Sequence, residues 1–347
     1  MRITLDGTLS AGGDVPQGNW SKEKTAEFTI PIYSNGTSDN ALYGYTNIPK
    51  IEDDAISISA RGTIGYAAIR KAPFYPIVRL IIAVPDTSKV LLRYLLEILS
   101  QLDFRKSGKT IPQLTVPMIK DKKIPVPPIE IQKQIALKCE KIDEEYNSTR
   151  MSIEEYRSKI ETLFDELESI TKTSTSYKLS LSDKTSFAVS IGKRVLNSEL
   201  VADGTIPVFS ANVFEPFGFI DKLLVKDFSI DSVLWGIDGD WMVNFYPKDN
   251  PFYPTDHCGV LRVLTDKVHP RYMARILEIE GQKMNFSRSY RASIDRVEGI
   301  SFSVPSFDVQ EKAMKQVVEL ETKIAELERG LESLDGKKAE ILASFLK

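Results

Sequence analysis

Arg61-Gly62-Thr63 and Asp238-Gly239-Asp240 each set charged or polar side chains around a glycine, just after a short run rich in β-branched and apolar residues. Arginine offers paired donors that fit O6 and N7 of guanine, and aspartate can accept from N4 of cytosine. Arg61 and Asp238 are therefore candidates for equivalent base-reading positions with different codes, with Thr63 and Asp240 beside them. Asp-Gly is also a common turn pair in which the carboxylate serves only its own backbone. Ser34-Asn35-Gly36 and Ser210-Ala211-Asn212 are further polar loops, and their Asn35 and Asn212 carry the donor and acceptor that adenine requires.

Two basic stretches suit phosphate contact. Arg105, Lys106 and Lys109 fall in Arg105-Lys106-Ser107-Gly108-Lys109-Thr110, and Lys283, Arg288, Arg291 and Arg296 fall within fourteen positions, interleaved with Tyr290 and opposed there only by Asp295. A single run of this kind is usually a solvated charged loop, but recurrence at comparable places favours contact with a nucleic-acid backbone. The net charge of −3 argues against such a partner only until it is divided. Residues 1–128 carry +4, 129–172 carry −4, 173–307 carry −1 and 308–347 carry −2.

Catalytic readings are weaker. Asp249-Asn250-Pro251-Phe252-Tyr253 approaches the motif with which amino-methyltransferases hold a flipped base, but Phe252 stands where a second proline is needed. Asp238, Asp240 and His257 could hold a nuclease metal, yet no carboxylate-x-Lys pairing follows them. No cofactor and no metal is expected. Cys139 and Cys258 make neither a disulfide framework nor a zinc site, which points to a reducing cytoplasm. Arg79 interrupts the longest apolar run, Pro76 to Pro85, so no membrane span is expected, and the first ten residues do not read as a secretory signal.

The elements that must position these residues occur twice. Thr29-Ile30-Pro31-Ile32-Tyr33-Ser34 is echoed by Thr205-Ile206-Pro207-Val208-Phe209-Ser210, and Pro73-Phe74-Tyr75-Pro76 recurs as Pro251-Phe252-Tyr253-Pro254. Arg93-Tyr94 recurs as Arg271-Tyr272, and Pro127 and Gln132 recur as Pro305 and Gln310. Three of the four pairs share an offset of 178 and the first has 176, so the chain is two copies of one plan. Each copy opens with short strands such as Ala55–Ile58 and Ser232–Trp235 between Gly, Asn and Pro turns, then a short helix near Lys89–Leu102 or Arg271–Glu280. The aromatic residues Tyr33, Phe209, Phe74, Tyr75, Phe252 and Tyr253 lie in these repeated motifs and read as core in preference to base-stacking rings.

Each copy closes on a long helix. The first has a four-three seam that includes Ile142, Ile153, Tyr156, Ile160, Leu163 and Leu167, and the second one that includes Leu320, Ile324, Leu327, Leu331 and Leu334. Gly330 and Gly336 weaken the second at about 1 kcal/mol each. Two seams of matching length are best buried against each other as an antiparallel pair; the alternative is that each packs on a separate partner helix. The expected fold is two mixed α/β (α+β) recognition domains separated by a long antiparallel two-helix coiled coil, with a pseudo-two-fold repeat. The divisions fall at 1–128, 129–172, 173–307 and 308–347.

Ile124-Pro125-Val126-Pro127-Pro128-Ile129-Glu130-Ile131-Gln132-Lys133-Gln134-Ile135 resembles the entry to the conserved helix in DNA-specificity subunits of type I restriction-modification systems. Val304-Pro305-Ser306-Phe307-Asp308-Val309-Gln310 is a weaker second instance, with Ser306 for the second proline. Gly204 to Ser210, Trp235-Gly236-Ile237-Asp238-Gly239 and Thr255-Asp256-His257 resemble one subclass of that family's target recognition domains. The resemblance implies a non-catalytic subunit whose two domains each read half of a split double-stranded DNA site. It implies helices that act as a ruler and as the docking surface for DNA methyltransferase subunits, with a restriction endonuclease subunit as further partner. A protein-assembly scaffold without DNA reading is the alternative from another class.

Overall fold

The computed structural model describes residues 2–4, 9–102, 113–120, 122–173 and 176–346. Its contacts divide the chain into two units, Met1–Met151 with Glu328–Lys347, and Ser152–Leu327.

In the first unit Ala55–Ser59 is buried at every position and lies inside a four-stranded antiparallel sheet, between Leu80–Ala83 and Ala67–Arg70, with Leu9–Ala11 outermost beside Leu80–Ala83. A strand buried on both faces needs apolar residues throughout, and its side chains alternate between two cores. Ile56, Ile58, Ile81 and Ala83 pack with Tyr94, Leu95, Ile98 and Leu99 of the helix Leu92–Ser100. Ala55, Leu80 and Ile82 pack the other way, with Phe74 and Tyr33. Tyr33 belongs to a second sheet, in which Ile30–Tyr33 pairs antiparallel with Leu42–Thr46 and parallel with Tyr75–Pro76, the strand that Phe74 directly precedes.

The second unit repeats this plan. Ser232–Gly236 lies between Cys258–Val263 and Val243–Tyr246, with Phe187–Ile191 outermost beside Cys258–Val263, and the helix Pro270–Lys283 covers one face through Tyr272, Met273, Ile276 and Leu277. Ile206–Phe209 pairs antiparallel with Gly218–Ile220 and parallel with Tyr253–Pro254. The two repeated sequence motifs are thus the two members of one parallel pair. Ile32 faces Tyr75 and Tyr33 faces Pro76 in one copy; Val208 faces Tyr253 and Phe209 faces Pro254 in the other. Phe74, Phe209, Phe252 and Tyr253 are buried, as the core reading requires, while Tyr33 and Tyr75 are only half-buried. Phe252 packs its ring against Phe209, Phe228 and Tyr246, which leaves no open face for a flipped base.

The first long helix is Ile129–Thr173, about 67 Å at 1.5 Å per residue. In the first unit its Ile131, Ile135 and Cys139 share a core with Ile341, Leu342 and Phe345. In the second unit its Ile160, Leu163, Phe164 and Leu167 share a core with Ala313, Met314 and Val317. Early residues of one helix meet late residues of the other, so the packing is antiparallel in both units. Ile153 and Leu334 are buried, and Ile142, Tyr156, Leu320, Ile324, Leu327 and Leu331 are half-buried. The expected continuous second helix needs correction. It runs Phe307–Leu334 and resumes at Lys337–Phe345, because Gly336 adopts φ 83°, a left-handed conformation that ends one helix and caps the next. Gly330 stays helical.

The entries to the long helices are locked alike. Gln132 is fully buried; its Oε1 accepts from Leu91 N at 2.8 Å, and its Nε2 donates to the carbonyls of Lys89 and Pro127 at 2.8 and 2.9 Å. Gln310 does the same with His269 N, Lys267 O and Pro305 O at 2.9, 2.9 and 2.8 Å. Just beyond, Arg93 pairs with Asp143, and Arg271 with Glu321 at the same offset. One further position is charge-reversed between the copies. Glu97 receives Lys338 at 3.1 Å, whereas its counterpart Arg275 pairs with Glu161.

Candidate nucleic-acid interface

The strand Ala55–Ser59 runs out through Ala60 into the loop that carries Arg61, and Ser232–Gly236 runs out through Ile237 into the loop that carries Asp238. Both loops turn on a glycine in the left-handed region, Gly62 at φ 70° and Gly239 at φ 89°, where any other residue would be strained. Each loop is pinned by the same two backbone hydrogen bonds. Ala60 N donates to Arg79 O at 2.7 Å and Leu114 N donates to Ala60 O at 2.8 Å; in the other copy Ile237 N donates to His257 O at 3.0 Å and Ala292 N to Ile237 O at 2.8 Å.

Around Arg61 the structure gathers residues that sequence spacing keeps apart. Gln113 Oε1 accepts from Arg61 Nε at 2.9 Å and from Nη2 at 2.6 Å, and Asn35 donates to the Arg61 carbonyl at 3.0 Å. Asn35 therefore holds the loop through its amide. Arg61, Arg79 and Gln113 line one concavity of about 510 Å³. Thr63 belongs to the same turn, where its carbonyl accepts from Tyr66 N at 3.0 Å.

Around Asp238 the partners are His257, whose Nδ1 lies 2.9 and 3.0 Å from the two carboxylate oxygens, and Arg291 at 3.4 Å. The carboxylate thus reaches neighbouring segments. Asp240 is exposed on the far side of Gly239. Among the described residues no three His, Cys, Asp or Glu side chains are grouped to hold a metal ion. Arg291 lines a second concavity of about 770 Å³ together with Ser289, Ser293, Asp295 and Arg296.

The basic stretch of the second unit is a built loop. Ser287 and Tyr290 exchange backbone hydrogen bonds at 3.0 and 3.1 Å, and the Tyr290 ring stacks on Phe286. Arg296 lies over that ring, 4.0 Å from its centre, and donates to the Arg291 carbonyl at 2.7 Å. Arg288 is exposed on the same loop. Lys283 is placed elsewhere: it pairs with Glu280 at 2.7 Å and borders a separate cleft with Phe164, Glu168 and Tyr272. Ser210 accepts from the Thr255 hydroxyl at 3.2 Å. Asn212 Oδ1 accepts from Phe214 N and Glu215 N at 3.0 and 3.2 Å, so it shapes a turn. Ser34 is half-buried, with its N–H donated to Ala41 O at 2.9 Å. Arg105, Lys106 and Lys109 lie outside the described residues.

Local sequence around Arg79, Gln113 and His257 carries no base-reading pattern. The available signal was the repeat itself: carried through the glycine loops, it sets Arg79 over His257 and Gln113 over Arg291.

A family model for the type I restriction modification DNA specificity domain matches residues 10–155 and again residues 187–333, two stretches that stand at the offset of the internal repeat. The chain belongs to this family. Over 125 residues it is 37% identical to the putative type I specificity subunit S.MpnORF89P of Mycoplasma pneumoniae, which covers 36% of this chain and 37% of that protein. It is 28% identical over 111 residues to the specificity subunit of the type I restriction enzyme MpnII from the same organism, covering 31% and 33%. Each match spans about a third of the relative's own length. The fold is that of the type I restriction-modification system S subunit from M. genitalium, with TM-score 0.66 at 18% identity over 100% of this chain and 96% of that one. A chain from a structure addressing complex assembly and conformational transition of the type I R-M system has TM-score 0.57 at 12% identity over 100% and 97%. No described helix of this family member is long and apolar enough to cross a membrane.

Proposed function

We propose that this specificity-family chain recognises a bipartite double-stranded DNA site and directs partner methyltransferase and endonuclease subunits to it, without catalysis of its own. The observation that carries the reading is the pair of loops at Arg61 and Asp238. They share a strand end, a left-handed glycine and two backbone hydrogen bonds, yet present opposite charge. A scaffold duplicated so faithfully needs a reason to exchange arginine for aspartate at one loop position. Two half-sites of different sequence give one.

Arg288, Arg291 and Arg296 supply phosphate contact beside the Asp238 loop, where Tyr290 holds Arg296 in place. The helical segments set the gap between the half-sites and offer acidic faces for partner subunits, with residues 129–172 at net −4. The work takes place in the cytoplasm.

Binding of the full chain to duplex libraries at several salt concentrations tests the reading. Counterion release gives a steep salt slope, and a two-part sequence preference survives it. Arg61→Ala costs about 1–3 kcal/mol at one base position and little elsewhere. Binding that is equally strong on all sequences counts against the proposal.

A further inference from the structure

Each copy brings three residues from three separate segments to its strand-end loop, and the three positions correspond through the repeat. They are Arg61, Arg79 and Gln113 in the first unit, and Asp238, His257 and Arg291 in the second. The frame under them is the same. Residues 79 and 257 each accept a hydrogen bond through their carbonyl from the residue before the loop, and residues 113 and 291 each precede the backbone donor to that residue. The walls also correspond: Ala11 and Ile191, Ala60 and Ile237, Thr115 and Ser293, and Val116 and Ile294 line the two concavities at equivalent places. Against this constant frame all three polar positions differ in chemistry.

We propose that these three positions form a base-reading unit, one in each copy, and that their chemistry sets which base each copy reads. This deepens the DNA reading above and rests on it. Gln113 Oε1 takes the Nε proton of Arg61 and one Nη2 proton, which fixes the guanidinium and leaves Nη1 with the second Nη2 proton to donate outward. Paired donors fit the N7 and O6 acceptors of guanine, and the positive charge of Arg79, which lines the same concavity, disfavours an amino-bearing edge. In the second unit Asp238 is a carboxylate acceptor held by His257 and Arg291 on one side, with lone pairs left over. An acceptor beside an arginine donor fits a base with an exocyclic amino group in the major groove, adenine or cytosine. Gln113 and His257 act as positioning residues for Arg61 and Asp238.

Exchange of the two units in the full chain tests this. One variant carries Arg61→Asp, Arg79→His and Gln113→Arg; a second carries Asp238→Arg, His257→Arg and Arg291→Gln. Each is selected, beside the wild type, against a randomised 30-bp duplex and the bound pool is sequenced. The wild type enriches guanine at one position of one half-site and an amino-bearing base in the other. Each variant changes the preferred base in its own half-site alone, with a swing of roughly 5- to 150-fold in relative binding. A variant that fails to fold leaves the reciprocal variant to decide, since it alters the other unit. If the wild type enriches a two-part sequence and the exchanged chains enrich the same one, the three positions do not set the base and the DNA reading stands. If the wild type enriches no sequence, both fall together.

Discussion

Gln132 and Gln310 make the same three hydrogen bonds, each inside its own unit, although their partners lie 41 to 43 residues earlier apart from the proline carbonyl five residues back. A buried amide with every strong partner satisfied ties the first turn of a long helix to the segment that starts the short helix. Neither short helix therefore sets its entry by local sequence alone.

Gln132→Leu removes the amide and strands Leu91 N and the Lys89 carbonyl without partners. The expected loss is about 2–4 kcal/mol in the first unit, since each buried group left unpaired costs roughly 1–3 kcal/mol. Gln310→Leu gives a similar loss in the second unit. Hydrogen exchange at Leu91 and His269 reads the two separately; full protection in either variant would sink the latch.

Glu97 is buried and shared between Arg93 at 3.0 Å and Lys338 at 3.1 Å, while Lys338 also reaches Asp143 at 2.6 Å. Lys338→Met leaves Arg93 alone to serve two carboxylates. A loss of roughly 1–3 kcal/mol is expected, and adding Glu97→Gln should recover part of it. The same double-mutant cycle on Arg275 and Glu161 should return a smaller coupling, because the Glu161 side chain is 56% exposed and screened by water. Equal couplings from the two cycles would contradict this account.

His269 caps the helix Pro270–Lys283 by accepting from Arg271 N at 3.2 Å, which requires an unprotonated Nδ1. Burial, then the neighbouring Arg271 charge, pushes its pKa below the usual 6.5. The unfolded chain thus takes up the proton first as pH falls. The stability contributed by the neutral cap is complete above about pH 6.5 and disappears as pH drops through the lower folded value. His269→Asn keeps an acceptor but does not titrate there. Thermal unfolding between pH 7.5 and 5 should show a shallower acid loss for this variant, and identical slopes would rule the cap out as its source.

Arg288 stands on the Tyr290 loop, where Arg291 faces Asp238 and Arg296 covers the tyrosine ring. Arg288→Ala should weaken DNA binding by about the same factor on every sequence and lower the salt slope by about 0.9, as one lost phosphate contact requires. Isotherms at four or more salt concentrations measure both. A loss confined to one base position would make Arg288 a base reader.

The sequence alone determined the duplication, the short strands, the long helices and the apolar seams, because each is written in local periodicity or in motifs that recur at one offset. Ile56, Ile58 and Leu167 had to be buried wherever the chain placed them, since their neighbours in the pattern left no other face. The tertiary structure alone decided which side chains meet at the tips. Arg61 finds Gln113 52 residues away, and Asp238 finds His257 19 away. Such contacts carry no period, because exposed loop residues are not held by packing and are free to differ between copies. What brings them together is the sheet beneath, whose backbone hydrogen bonds fix where each loop must leave.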